Sequence, residues 1–153
     1  MTDALRHPLS PRLDHCPPGL PRDAFLGDDW YRREMATIFA RQWVMVGRRR
    51  EFSPGTLRRA VVGAAEVIVA CDSEGTLSAF HNSCPHRGSE LCRADEEPIG
   101  KLIRCPYHAF AYSAADGRLI STAHAVPTAD LDRKAMGLKP VSLRDWNGFL
   151  FLN

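Results

Sequence analysis

The stretch that decides this fold runs from Asn82 to Tyr112 and contains two short motifs, Cys84-Pro85-His86-Arg87-Gly88 and Cys105-Pro106-Tyr107-His108. Each motif supplies one thiol and one imidazole. Thiolates and imidazoles together are ligands of both zinc and iron–sulfur centres, so the residue types alone leave both metals open. The four candidate ligands are Cys84, His86, Cys105 and His108.

The order of the ligands separates the two kinds of metal. A zinc finger of the Cys₂His₂ type keeps its two cysteines together and its two histidines together. Here each motif is mixed, which favours a [2Fe–2S] cluster with both cysteines on one iron and both histidines on the other. Zinc stays open as a remote alternative.

Residues around the motifs fit the same interpretation. Gly88 allows backbone amides to approach a sulfur atom, and Pro85 and Pro106 stiffen the two loops. Tyr112 follows the second motif, where its hydroxyl group could donate a hydrogen bond to a ligand sulfur. Cys92 is expected to be buried and inert.

The remaining histidines and cysteines are not expected to bind the metal. His81 and His124 are interpreted as surface or structurally satisfied side chains, and Cys71 as a small core residue. Another group falls in a proline-rich arm over residues 1–24, where a preformed metal site is not expected. That group is His7, His15 and Cys16.

Composition fits one soluble domain. Of the 153 residues, 44% are hydrophobic and 25% are charged, and the formal net charge is +2. This near balance gives no reason to expect binding to nucleic acid or to an anionic membrane. No window reaches the roughly 18 apolar residues of a membrane span, and no signal peptide is evident, so we expect a cytoplasmic protein.

The Arg48–Arg50 run is a solvated rim or a docking patch for an acidic redox partner.

The chain reads as one helix followed by strands. A leading helix is expected within residues 25–44, with Asp28 or Asp29 as its N-cap and an apolar face that packs on the core. After it, the period changes to that of antiparallel strands. The expected strands are Trp43–Arg49, Leu57–Val62, Glu66–Cys71, Thr76–His81, Leu102–Arg104, Ala109–Ser113, Arg118–Ser121, Leu138–Leu143 and Gly148–Leu152.

The two motifs, with their flanks, resemble the cluster loops of Rieske non-haem iron oxygenases. The helix with Glu34, Phe39 and Trp43 is similar to the element that precedes the Rieske domain in the oxygenase alpha subunit. The C-terminal stretch from Trp146 to Asn153 resembles the strand leading into the catalytic domain. Within the family, the sequence is similar to the subgroup that acts on quaternary ammonium compounds such as choline and glycine betaine.

The resemblance implies a mainly β fold, an antiparallel Rieske-type β sandwich with a leading N-terminal helix and a cluster-binding subdomain of two loops. The expected arrangement is an arm over 1–24, the helix over 25–44, and the Rieske domain over 45–153 with its cluster-binding subdomain at about 82–121. It also implies that Cys84, His86, Cys105 and His108 hold the [2Fe–2S] cluster. No catalytic residue is expected.

Departures from other Rieske proteins narrow the type of cluster. The Rieske proteins of bc complexes carry a third cysteine in each loop, forming a disulfide, where this chain has Ser89 and Tyr107. They also place a serine where this chain has Phe110. Oxygenases usually have Gly-Trp at the positions of Ala109-Phe110. Because the serine and the disulfide are both lacking, we expect a low-potential cluster.

The implied function is electron transfer, from a reductase or ferredoxin to a mononuclear Fe(II) in a C-terminal catalytic domain, within a trimeric assembly. This chain ends at Asn153 and contains no set of ligands for the mononuclear iron, so the catalytic domain is expected to be absent. The chain alone is then an oxidoreductase component rather than a complete oxygenase. The alternatives are a free-standing Rieske-type ferredoxin and, more remotely, a zinc-binding structural module.

Overall fold

The N-terminal part of the fold is helical. The structure, a computed structural model, describes residues 18–123 and 125–153. Two short α-helices, α1 (Asp23–Leu26) and α2 (Asp28–Glu34), are followed by a π-helical turn, Met35–Phe39. The helix therefore ends at Phe39, short of the expected bound at residue 44, because the chain turns at once to enter the first strand.

The predicted helix cap is wrong. The N-cap is Gly27, in an extended conformation and without a side-chain hydrogen bond. Asp28 and Asp29 lie inside the first turn instead. Their carboxylates there face the positive end of the helix dipole, which stabilises the helix without capping it.

The apolar side of this helix is not packed as expected. Tyr31 is 60% exposed, and Ile38 and Phe39 are also exposed, as is Trp43, which lies after the end of the helix. The helix touches the sheet region mainly at its C-terminal end, where Gly63 in a hairpin turn lies against Phe39. A cleft of about 700 Å³ separates the rest of the helix from the strands.

The described part of the chain contains ten strands in three antiparallel sheets. The strands are β1 (Val44–Arg48), β2 (Thr56–Val62), β3 (Ala65–Cys71), β4 (Leu77–His81), β5 (Glu96–Pro98), β6 (Leu102–Arg104), β7 (Ala111–Ser113), β8 (Leu119–Ser121), β9 (Leu143–Trp146) and β10 (Phe149–Leu152). The first sheet has the order β1-β10-β9, the second β4-β3-β2-β5 and the third β6-β7-β8.

Strand β3 is the centre of the molecule because both of its faces are buried. Ile68 and Ala70 belong to a core cluster shared with the third sheet and the two cysteine motifs. Val67, Val69 and Cys71 belong to a second cluster, shared with Leu150 and Leu152 of the first sheet. A strand covered on both faces requires an almost continuous apolar run, and β3 has one.

Three strand predictions differ from the structure. The strand expected over Ala109–Ser113 begins at Ala111, because Ala109 and Phe110 form the turn of the second cysteine motif. Strand β5 lies in an acidic segment where the sequence predicts no strand, and it pairs with β2. The last hairpin begins at Leu143 rather than at Leu138, which is a buried core residue outside any strand. The predicted β6, Leu102–Arg104, is confirmed. Within the described residues, none of the helices is both long and apolar enough to cross a membrane.

The turn between β7 and β8 gives a test of the packing. Gly117 has a φ of 73°, and a Cβ added there would lie 2.5 Å from the ring of Phe80. We expect Gly117→Ala to lower the free energy of unfolding by about 3 kcal/mol, from left-handed strain and overpacking together. Urea unfolding followed by circular dichroism measures this loss.

The matched control is Gly100→Ala. No atom lies within 4 Å of a Cβ added at Gly100, so its expected effect is within about 0.5 kcal/mol. Equal unfolding midpoints for the two variants would contradict the packing described for Gly117.

Candidate metal centre

The first cysteine loop follows β4 and is closed by its own backbone. The N–H of Cys84 donates to the carbonyl of Ser89 at 2.8 Å, and its carbonyl accepts from the N–H of Gly88 at 2.8 Å. Gly88 has a φ of 70°, the left-handed conformation that glycine adopts without strain. The loop thus turns back on itself and places His86 at its tip.

The second loop, between β6 and β7, repeats the same turn. The N–H of Cys105 donates to the carbonyl of Phe110 at 2.8 Å, and its carbonyl accepts from Ala109 at 3.0 Å. Ala109 has a φ of 56°, so here a residue with a Cβ takes the left-handed conformation. The backbone here accommodates the Cβ of Ala109, at the position where the oxygenases usually have glycine.

The structure brings the two thiols together in the core. Cys84 is 1% exposed and Cys105 is 2% exposed. The hydroxyl group of Tyr112 lies 3.1 Å from the Sγ of Cys84. Burial raises the pKa of this tyrosine far above its ordinary value, so the hydroxyl keeps its proton and can donate it to the sulfur. The predicted contact of Tyr112 with a candidate ligand sulfur is confirmed.

Backbone amides favour charge on the sulfur of Cys105. Burial opposes ionisation of this thiol, but hydrogen bonds outweigh burial and lower its pKa. They come from the N–H groups of His108 and Tyr107, followed by the side chains of Cys84 and Ser89. Burial raises the pKa of Cys84, although Tyr112 and the N–H of His86 act in the opposite direction. Hydrogen bonds of this kind stabilise thiolates, the form in which cysteine binds metals.

The two imidazoles form the outer part of the site. The rings of His86 and His108 lie edge to face, with centroids 4.9 Å apart. Partial burial, followed by the neighbouring His108 and Arg87, lowers the pKa of His86 and favours the neutral ring that metals bind. The Nδ1 of His108 is buried and, among the described residues, has no hydrogen-bond partner.

These residues fit a two-metal group better than a single ion. In the described part of the chain, no three His, Cys, Asp or Glu side chains are placed to hold one metal ion. The donors form two pairs instead, a buried pair of thiols and a partly exposed pair of imidazoles. An unpartnered buried nitrogen costs free energy unless a ligand satisfies it, so His108 Nδ1 is the atom that most directly fits a metal bond.

Asn82 is a structural residue of the site that the sequence analysis treated only as the start of a loop. Its side-chain oxygen accepts from the N–H groups of Leu91 and Cys92, each at 2.9 Å. Its amide nitrogen donates to the carbonyl of Cys92 at 2.9 Å. An asparagine directly before a Ser-Cys pair is a weak sequence signal, because its partners lie almost ten residues away.

The other candidate cysteines and histidines occupy core or surface positions. Cys92 is fully buried and burial raises its pKa to about 11, in agreement with an inert thiol. Cys71 is buried at the end of β3 and His81 is exposed, as predicted. The predictions for the other histidines and cysteine concern residues outside the described ranges, namely His7, His15, Cys16 and His124.

Comparisons with known proteins agree with this geometry. A family model for the Rieske [2Fe-2S] domain matches residues 42–132. The chain is 34% identical to a glycine betaine monooxygenase oxygenase subunit of Pseudomonas aeruginosa over 135 residues, which cover 88% of this chain and 31% of that protein. It is 37% identical to the subunit of the same name from Chromohalobacter salexigens, covering 88% of this chain and 30% of that protein.

Solved structures give the same result. The apo form of the quaternary ammonium Rieske monooxygenase CntA superposes with a TM-score of 0.77 at 26% identity, covering 88% of this chain and 39% of that one. A naphthalene 1,2-dioxygenase superposes with a TM-score of 0.70 at 31% identity, covering 84% and 29%. The chain spans about a third of the length of the curated relatives it matches. The antiparallel sheets of this chain, together with its match to these solved structures, confirm the predicted fold class.

The hydrogen bond from Tyr112 to Cys84 generates a prediction about redox potential. A donor to a ligand sulfur stabilises the more negative, reduced state of a cluster. We expect Tyr112→Phe to lower the reduction potential, by about 40 mV if the bond favours the reduced state by about 1 kcal/mol. Protein-film voltammetry measures the shift.

The matched control is Tyr31→Phe, which removes an exposed hydroxyl group on α2. This change is expected to leave the potential at the wild-type value. A Tyr112→Phe protein with the wild-type potential, or a higher one, would contradict a donor role for the Tyr112 hydroxyl.

Proposed function

This chain belongs to the Rieske [2Fe-2S] domain family, whose cofactor is the cluster of that name, and we propose that it is the electron-transfer domain of an oxygenase alpha subunit. The observation that carries the proposal is the pairing of donors at the site. Two buried thiols lie beneath two partly exposed imidazoles, and one buried imidazole nitrogen lacks a partner in the described residues.

We propose the following ligand set. Cys84 and Cys105 hold the inner iron, and His86 and His108 hold the outer iron. A bound Rieske cluster supplies reversible one-electron chemistry. The chain itself keeps water away from the thiolates, offers amide hydrogens to their charge, and favours the neutral form of the His86 ring by lowering its pKa.

The path for the electron is proposed to pass through the histidines. The cysteines face the core, whereas the imidazoles border a recess of about 370 Å³ that also includes Tyr107 and Ala109. Tyr107 is 59% exposed. A redox partner can therefore approach the imidazole edges far more closely than it can approach the sulfur atoms.

The partners follow from the relatives. Several of them are named as oxygenase subunits, and a subunit of that name implies further components. We propose a reductase or ferredoxin as electron donor, a mononuclear non-haem iron in a catalytic domain as acceptor, and a trimer as the assembly. Relatives named for glycine betaine, carnitine and choline support quaternary ammonium compounds as the substrate class.

The domain division proposed for this function keeps the bounds inferred from the sequence. The Rieske domain covers residues 45–153, and its cluster-binding subdomain covers about 82–121. Apart from Val44, the first residue of β1, the three sheets and both cysteine loops lie within the first range. A cytoplasmic location is part of the same proposal.

The experiment that tests the function is spectroscopy of the anaerobically purified protein. We expect iron and acid-labile sulfide in equal amounts, visible absorption in the oxidised state, and a low-temperature EPR signal on reduction by one electron. A colourless protein that contains zinc and gives no EPR signal would contradict the proposal and favour the zinc module.

The histidine ligands generate a separate prediction. We expect His86→Cys and His108→Cys each to retain iron but to lower the reduction potential, because a thiolate adds negative charge to the outer iron. Replacing the cysteine pair of a cluster by histidines raises the potential by several hundred millivolts in natural proteins, so a single reversal is expected to shift it by roughly 100 mV or more.

His81→Cys is the matched control, since it makes the same exchange at an exposed histidine close to the first loop in the sequence. Its potential is expected to equal that of the wild type. If the potentials of His86→Cys and His108→Cys also equal the wild-type value, the proposed histidine ligands are wrong.

A further inference from the structure

The two cysteine loops share one backbone turn but differ in the residue that follows it. In both loops the fourth residue after the cysteine is left-handed and the fifth accepts the cysteine N–H. That fifth residue is Ser89 in the first loop and Phe110 in the second. Both reach towards the opposite loop, Ser89 towards the sulfur of Cys105 and Phe110 towards His86.

The contact between Phe110 and His86 has a defined geometry. The two rings are stacked, with centroids 4.3 Å apart and an angle of 6° between their planes. Phe110 is 5% exposed and belongs to the same core cluster as Cys84, Cys105 and Tyr112. Packing therefore fixes the Phe110 ring, and this ring covers one face of the His86 imidazole.

The other histidine has a different neighbour. The ring of Tyr107 lies over His108 at 3.7 Å with a tilt of 34°. Tyr107 is largely exposed, so it is not held by the core as Phe110 is. Of the two imidazoles, His86 is the one whose ring plane is set by a rigid aromatic residue.

We propose that Phe110 is a positioning residue that fixes the ring plane of His86 at the metal centre. This inference rests on the proposed function, because it takes His86 to be a ligand. A metal-bound imidazole can rotate about its bond to the metal unless its surroundings prevent it, and a stacked ring prevents that rotation. Phe110 does not touch the metal in this role.

The left-handed conformation of Ala109 contributes to the placement of Phe110. Ala109 lies between His108 and Phe110, and both of these side chains border the recess, although Phe110 is also packed in the core cluster. The left-handed turn at Ala109 sets the direction in which the next side chain, Phe110, leaves the loop towards His86. Strain in a residue with a Cβ is retained where the surrounding structure requires that conformation.

The test compares three variants of the cluster-loaded protein by reduced-state EPR. Phe110→Leu removes the ring, and Phe110→Trp restores an aromatic face. Phe80→Leu is the matched control, because Phe80 is also buried in the same core cluster, at 2% exposure against 5% for Phe110, but packs beside Gly117. Protein labelled with ¹⁵N-histidine shows by pulsed EPR whether both imidazoles remain bound.

We expect Phe110→Leu to keep two histidine nitrogen couplings but to broaden the EPR lines, since the His86 ring then adopts a range of angles. Phe110→Trp is expected to restore narrow lines. Phe80→Leu is expected to lower the stability of the fold while leaving the line width at the wild-type value. This contrast separates positioning from a general loss of packing.

Lines as narrow in Phe110→Leu as in the wild type would overturn the positioning role, and so would equal broadening in Phe80→Leu. If Phe110→Leu does not fold, Phe110→Met takes its place, because methionine fills irregular space without a ring. Broadened EPR lines are expected for Phe110→Met, and wild-type line widths would overturn the positioning role. Failure of the proposed function is a different observation, because the wild-type protein itself would then lack histidine nitrogen couplings.

Discussion

The backbone turn that closes each cysteine loop is the constraint on which the site depends. In each loop the cysteine uses both its N–H and its carbonyl to bond residues four and five positions later. The intervening amides are then free to face the sulfur atom, where they favour a thiolate. The turn also requires a left-handed residue, which is Gly88 in one loop and Ala109 in the other. The chemistry of the donors therefore follows from local backbone geometry.

Strand β3 and Asn82 fix the position of the cysteine loops relative to the rest of the fold. One face of β3 packs against the core cluster that contains both cysteines, and the other face packs against the first sheet. Asn82 ties the start of the first loop to the segment at Leu91 and Cys92. The sulfur atoms of the site are therefore shielded from solvent, whereas the imidazoles border a solvent-accessible recess. This arrangement suits an electron carrier, because a partner can approach the imidazoles while the thiolates stay shielded from water.

Sequence reasoning found the features that depend on local chemistry. A distinctive residue type or period made three features recognisable: the four candidate ligands, the contact of Tyr112 and the strand Leu102–Arg104.

Sequence reasoning failed where residues distant in the chain decide the structure. The strand Glu96–Pro98 is too polar to be recognised, and it exists because β2 offers it an edge. The apolar side of the leading helix fits a packed helix in sequence, yet Tyr31 of α2 and Ile38 of the π-helical turn are exposed. The stacking of Phe110 on His86 needs both loops in place and could not be read from either one.

The central claim is that one iron is bound by two cysteines and the other by two histidines. Mössbauer spectroscopy of the protein enriched in ⁵⁷Fe tests it most directly. Two quadrupole doublets of equal area are expected in the oxidised state, and on one-electron reduction only the histidine-bound iron is expected to become ferrous. A single iron environment in the oxidised protein, or a reducing electron shared equally by both irons, would contradict the account.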